Sequence, residues 1–299
     1  MRVIGNSENS ENSHNNQTEQ VNLQNWLKTP PGQYLLDWEY AQFERVVADI
    51  FGYHALQLGL PELNALQASR IPHRWVASPY LPELDVDFAI NKVAHQAVNT
   101  SYKAIKESKN IAFFTEFQAL PFAENSLDLL ILPHSLELSP DPHATLREAE
   151  RVLVPEGKLI ICGFNPLSLW GFKQKRSHLY QRLNVGDLYL PEAGEFIGHW
   201  RLRDWLRLLS FEVDRCQFGA YRPAVRTDKW LQRWGWIEGV GTRWWPILGA
   251  VYFITAVKRV RGMHVLGPAW KPRRATAAAP VTAARHTHHT SHFSHRTPD

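Results

Sequence analysis

The chain has 299 residues, 44% of them apolar, 33 Lys and Arg against 29 Asp and Glu, and 12 tryptophans. That length holds one large domain or two small ones. No charged start leading into an apolar core of signal-peptide length stands near Met1, and the longest apolar run, Pro246 to Val257, falls well short of the ~20 residues a membrane-spanning helix needs; secretion and membrane spanning are set aside. The two cysteines, Cys162 and Cys216, lie in predicted strands without metal-ligand spacing, so a cytoplasmic location with reduced thiols is expected. Most of the excess positive charge lies after Arg201. An anionic partner, nucleic acid or acidic lipid, accounts for it, as does a solvated basic tail, and the tail is the plainer reading.

In chain order, residues 1–20 are polar with almost no apolar residue after Ile4 and cannot bury enough surface to offset ordering, so they read as disordered. Leu36, Tyr40, Phe43, Val47 and Ile50 recur every three or four residues, which predicts a helix that Gly52 ends. His54–Gly59 and His73–Ala77 read as short strands, and 85–108 as a helix. Ile111–Thr115 and the apolar run Leu127–Leu132 predict two more strands. Asp141-Pro142 opens a helix, with Pro at its first position. Pro155-Glu156-Gly157 makes a turn into a strand over Lys158–Gly163. A helix over Arg201–Leu209 and strands over Phe211–Phe218 and Ala250–Val260 complete the set. Such alternation predicts an α/β fold, a mostly parallel sheet covered on both faces. The domain is expected over 33–262, with its core at 53–165, a C-terminal cover over 166–262, and a disordered basic, His-rich tail over 267–299. The tail histidines, His286, His288, His289, His292 and His295, lack the folded frame a specific metal site needs, and no metal site is expected.

Leu120-Pro121-Phe122, Asn125-Ser126-Leu127-Asp128, Asp141-Pro142, Arg147-Glu148, Arg151-Val152-Leu153 and Pro155-Glu156-Gly157-Lys158-Leu159 follow one another at set spacings. No one of these is specific, but together, from Thr115 to Asn165, they resemble the type 11 branch of the class I S-adenosylmethionine-dependent methyltransferases. The wider chain is similar to a bacterial branch of that family with a reduced glycine-rich motif. The resemblance implies a Rossmann-like class I methyltransferase sheet, S-adenosylmethionine as cofactor and a methyl acceptor that the sequence does not identify. It also implies a pocket at the carboxyl ends of the strands. There Gly59 stands where the family has its G-x-G-x-G loop, Ser78 where it has a ribose-binding acid, and Glu116 with Phe117 where it holds the adenine, while Pro133 and His134 line the loop after the fourth strand. Only the first glycine of the loop is present: Pro61 removes a backbone donor, and Leu60 and Leu63 add bulk. The pocket thus reads as intact on the adenine side and altered on the methionine side. No catalytic acid or base is singled out, since methyl transfer asks mainly for alignment.

His134 reads equally as a pocket residue and as a histidine hydrogen-bonded at a strand end. The loop Asn165–Gly171 is read either as an acceptor-facing wall or as a rigid turn with a packed Trp170. Trp230, Trp234, Trp236, Trp244 and Trp245, interspersed with Arg226, Lys229, Arg233 and Arg243, suit a lid packed on the sheet edge, and next a membrane interface or nucleic-acid bases. The functional expectation is a methyltransferase. A catalytically inactive binding or scaffold relative is the main rival, and a peripheral membrane or nucleic-acid binder the weaker one.

Overall fold

The computed structural model describes residues 22–79, 111–181, 189–191, 196–225 and 227–259. They all belong to one of the chain's two compact units, Met1–Arg261; the other, Gly262–Asp299, lies outside the described residues. The helix expected over 85–108, both expected disordered ends beyond residues 22 and 259, and Arg226 lie outside them too.

A short helix α1 (residues 22–27) leads into α2 (Pro30–Val47). The strands follow as β1 (His54–Leu58), β2 (His73–Ser78), β3 (Phe113–Phe114) and β4 (Leu127–Pro133). After β4 come α3 (Ser135–Leu138), α4 (Pro142–Val152), β5 (Leu153–Phe164), α5 (Leu169–Gln181) and α6 (His199–Leu208). The chain then forms β6 (Phe211–Gly219), α7 (Asp228–Arg233), α8 (Ile237–Trp244), a 3-10 turn at Pro246–Leu248 and β7 (Val251–Lys258). One seven-stranded sheet runs β3-β2-β1-β4-β5-β7-β6. β3, β2, β1, β4 and β5 pair in parallel, and β7 is antiparallel to both β5 and β6. The chain leaves β1 toward β2 on one side and returns beside it as β4 on the other, so the carboxyl end of β1 is the switch point where such sheets take ligands.

Central strands β1, β4 and β5 are buried throughout their carboxyl halves, as the apolar run Leu129–Leu132 requires. Asp141 caps α4, its Oδ1 accepting from the amides of His143 and Ala144 at 2.9 and 3.0 Å. Asp128 ties the entry of β1 to β4 by accepting from the amides of Tyr53 and His54 at 2.7 and 2.9 Å. The helix α2 ends at Val47, with Ala48 as its cap, before the expected stop at Gly52; glycine is needed at Gly52 because a Cβ there would meet the Asp128 side chain at 2.4 Å.

The motif residues form a clamp. Arg151 Nη2 donates to the carbonyls of Phe122 and Leu120 at 2.9 and 3.2 Å, and Glu148 Oε1 accepts from the Leu120 amide at 2.8 Å. Arg151 and Glu148 pair directly at 2.7 Å, and that hydrogen bond holds the Glu148 carboxyl below the usual carboxylate range. The fixed spacing from Leu120-Pro121-Phe122 to Arg151 is thus the spacing at which α4 grips the segment leading into β4.

Several elements differ from the sequence expectation. Strand β3 is only two residues long, although the Ala112 amide donates to Val76 O and the Thr115 amide to Ser78 O; it is a half-buried edge strand. Residues Pro155-Glu156-Gly157 make a kink inside β5 rather than a turn before it, with Glu156 at φ 65°. Asn165–Ser168 is a turn that leads into α5 at Leu169. Asn165 builds the turn by accepting from the Leu167 amide at 3.1 Å, and Trp170 is buried with its indole N–H on Arg222 O at 2.7 Å. The packed-tryptophan reading holds there. In α2 the buried stripe is Leu35, Glu39, Phe43 and Val47, one residue off the expected Leu36–Tyr40 stripe in its first half. The tryptophan-bearing segment packs on the domain through Leu231 and Gly241, but not through most of its rings: Trp230, Trp236, Trp244 and Trp245 are exposed side chains.

Candidate functional site

The carboxyl edge of the sheet is built on Gln57, buried in β1. Its Nε2 donates to the carbonyls of Leu63, Leu60 and Gly59 at 2.5, 2.9 and 3.3 Å, and its Oε1 accepts from the Ala65 amide at 3.0 Å. One amide group therefore satisfies most of the turn that follows β1, a turn that buries Leu60, Leu63, Ala65 and Leu66. A buried turn must have its backbone groups paired internally, and Gln57 does that. Gly59 has φ 85°, a left-handed value open to glycine, and its amide donates to Ala77 O at 2.8 Å.

The expected pocket residues lie around this turn. Ser78 ends β2 and is buried. Phe117 is buried with its ring edge 3.7 Å from the place of a Cβ on Gly59, and Ser135 Oγ lies 2.9 Å from the same place. Glu116 is exposed and makes a backbone bridge with Ala119. Pro133 closes β4, beside Cys162 of β5. His134 follows in the left-handed region at φ 53° and is fully buried. The structure thus brings Gly59, Ser78 and Phe117 to one corner, with Glu116 on its exposed rim. His134 is turned away into a second constellation.

In that second constellation His134 Nε2 lies 2.7 Å from Glu39 Oε1 and His134 Nδ1 lies 2.8 Å from Glu137 Oε2, all three side chains buried. Glu137 Oε1 also accepts from the Phe164 amide. Cys162 Sγ donates to Glu39 Oε1 at 3.3 Å. Burial opposes the imidazolium, but Glu39 and Glu137 outweigh it and push His134 up to about 10. Burial likewise pushes Glu137 and the Cys162 thiol up. Two carboxylates on one imidazolium leave an excess negative charge in a dry interior, so a raised Glu137 is the expected response. The Oε2 of Glu39 and the Tyr252 hydroxyl have no hydrogen-bond partner among the described residues. Ligand atoms of Glu39, His134 and Cys162 lie within 4.8 Å of one another. Both ring nitrogens of His134 lie within hydrogen-bond distance of a buried carboxylate, the geometry of an ionic tie that joins α2, the end of β4 and α3.

Glu39, Gln57 and Cys162 were not singled out from the sequence. Gln57 sits in an apolar strand at a position facing a glycine turn, which is the one signal that pointed to it.

Residues 84–161 match the family model described as a methyltransferase domain; its first part, up to residue 110, lies outside the described residues. The chain is 42% identical over 140 residues to the uncharacterized protein YafS of Escherichia coli strain K12, covering 47% of this chain and 52% of that protein. It is 37% identical over 84 residues to the ubiquinone/menaquinone biosynthesis C-methyltransferase UbiE of Shewanella sp. strain ANA-3, covering 27% of this chain and 30% of that one. The chain thus spans about half the length of the first relative and under a third of the second. Among solved structures it is similar to a chain in the complex of the Haloferax volcanii Trm112 methyltransferase activator with a methyltransferase, at 16% identity and TM-score 0.48 over 82% of this chain and 99% of that one. A SAM-dependent methyltransferase from Thermotoga maritima is similar at 15% identity and TM-score 0.46, over 76% of this chain and 92% of that one.

Proposed function

We propose, from the premise that the chain carries a domain of the class I methyltransferase superfamily, that it transfers a methyl group from S-adenosylmethionine to an acceptor not yet identified. The observation that carries this reading is the switch point at the end of β1, where Phe117 packs beside Gly59, Ser78 ends the neighbouring strand and Glu116, next to Phe117 in the chain, is exposed. When bound, the cofactor supplies an electrophilic methyl group on a sulfonium, and the chain's task is to hold and align it.

The residues fit that group in part. Glu116, on the rim, offers a carboxylate to the amino or hydroxyl groups of the nucleoside, and Ser78 offers a hydroxyl at the end of β2. The turn after β1 is different. Its carbonyls are committed to Gln57, its leucines are buried, and Ser135 Oγ donates to Leu58 O beside Gly59. No glycine-lined cradle for the methionine end exists in that turn, so the reading rests on the nucleoside end.

Equilibrium dialysis with labelled S-adenosylmethionine tests it. Binding that Glu116→Ala weakens about tenfold, the loss of one charged hydrogen-bond acceptor, supports the assignment. Binding that is indifferent to Glu116 and Ser78 overturns those roles. A second reading, a methyltransferase fold kept as a binding or scaffold module, is favoured by the Gln57-pinned turn and its buried Leu60 and Leu63. Under that reading the folded protein binds neither S-adenosylmethionine nor S-adenosylhomocysteine.

A further inference from the structure

The segment from Lys229 to Leu248 packs on the domain yet leaves most of its large rings in solvent. Its chain is anchored firmly. Gly241 packs against Tyr221, whose ring would meet a Cβ there at 2.4 Å. Tyr221 Oη donates to Pro246 O at 2.7 Å, and Asn165 Nδ2 donates to Ile247 O and Gly249 O at 2.7 and 2.9 Å. These bonds fix the backbone of residues 246–249 against the body of the domain.

The side chains on that fixed backbone point outward. Trp244 is 70% exposed and Trp245 58% exposed, and Ile247 and Leu248 are exposed beside them. They form an unbroken apolar run in solvent. Aromatic rings held in this way, next to aliphatic tips, are the groups that settle at the boundary between lipid headgroups and acyl chains.

The exposed charges within the segment from Lys229 to Leu248 have one sign. Lys229, Arg233 and Arg243 are exposed, and the Arg233 guanidinium lies 5.5 Å from the Trp230 ring centre. Glu238 is the single acid between Lys229 and Leu248, and it faces inward: its Oε2 accepts from the Tyr34 hydroxyl and its Oε1 from the Ala220 amide. The outer face is therefore cationic as well as apolar. A second copy of the chain on a two-fold axis would set these cations against each other. Nucleic-acid bases would stack on the tryptophans but leave the aliphatic Ile247 and Leu248 without a role.

We propose that the face formed by Trp244, Trp245, Ile247 and Leu248, bordered by Arg243 and helped by the exposed Lys229 and Arg233 of the same segment, docks the protein on a bilayer surface rich in anionic lipid. The face stands at the sheet edge that carries the cofactor corner, since Phe164 at the end of β5 pairs with Val251 at the start of β7.

Vesicle flotation of the full-length protein tests the proposal, with phosphatidylcholine vesicles against vesicles containing phosphatidylglycerol. The expected result is binding to the anionic vesicles that fades with salt. Trp244→Ser with Trp245→Ser weakens it more than tenfold, and Arg243→Ala about fivefold, as expected of ~1 kcal/mol per cation near such a surface. Circular dichroism melts of the variants matching the parent establish that they are folded. Equal vesicle binding by the parent and the tryptophan variant overturns the proposal, because a basic segment elsewhere then does the binding. Absence of vesicle binding overturns it too, as does capture by an oligonucleotide in preference to anionic vesicles, or a dimer in sedimentation that the tryptophan variant abolishes.

Discussion

At the scale of single residues, the ionic tie at His134 dominates what can be tested. Removing the imidazole by His134→Ala leaves Glu39 and Glu137 buried with no counter-charge, and about 3–5 kcal/mol of stability is expected to be lost in urea unfolding. Glu39→Gln keeps an oxygen for His134 Nε2, removes the excess charge and places an amide where Oε2 has no partner; a change within about 1 kcal/mol of the parent is expected. The two variants unfolding at the same urea concentration would contradict this account of the tie. The pH dependence follows from the same geometry. Because the folded imidazolium is held up to about 10 against an ordinary value of ~6.5, its stabilising contribution is complete below the ordinary value. It is lost as pH rises through the folded value. Urea midpoints are expected to fall between neutral pH and pH ~10 in the parent and to fall less in His134→Ala. His134 was legible in the sequence as a residue after a buried strand. Glu39 was not, because a glutamate one position off an apolar stripe reads as a solvated face, and only the packing of α2 reveals that it points inward.

At the scale of elements, the clamp between α4 and the segment before β4 explains why widely spaced motif residues keep their spacing. Arg151→Ala removes two hydrogen bonds to backbone carbonyls and the partner of Glu148. A loss of about 2 kcal/mol is expected for this partly exposed group, with faster hydrogen exchange at the Leu120 and Phe122 amides than elsewhere in the sheet. Unchanged exchange there would show that the segment is held by burial alone. The strands at Leu127–Leu132 and Phe211–Phe218 and the capped helix at Asp141-Pro142 were legible, since apolar runs and capping residues are local signals. The helix after Asn165 was not. Ser168 caps it by accepting from the Gly171 amide at 3.0 Å, a local signal. The turn before it, however, is held by Asn165 reaching carbonyls some eighty residues away at Ile247 and Gly249, and no local pattern encodes that contact. The exposed tryptophans were misjudged for a related reason. Composition shows that rings are present, but exposure is decided by where Gly241 and Tyr221 let the chain turn.

At the scale of the whole molecule, the strand order and the single switch point at β1 were implied by the ordered motif match and are present in the sheet. The loss of glycines after Gly59 was also legible. What the sequence did not disclose is the consequence of that loss: Gln57 turns the altered loop into a packed, internally satisfied turn rather than a loosened one. The turn after β1 is thus filled by its own side chains, and whether the carboxyl edge of the sheet accepts a methyl donor decides between the enzyme and scaffold readings. Calorimetric titration of the full-length protein with S-adenosylmethionine is the most direct test. Saturable heat, reduced in Glu116→Ala and competed by S-adenosylhomocysteine, is the expected result; no heat at millimolar ligand from a folded sample would contradict the methyltransferase account.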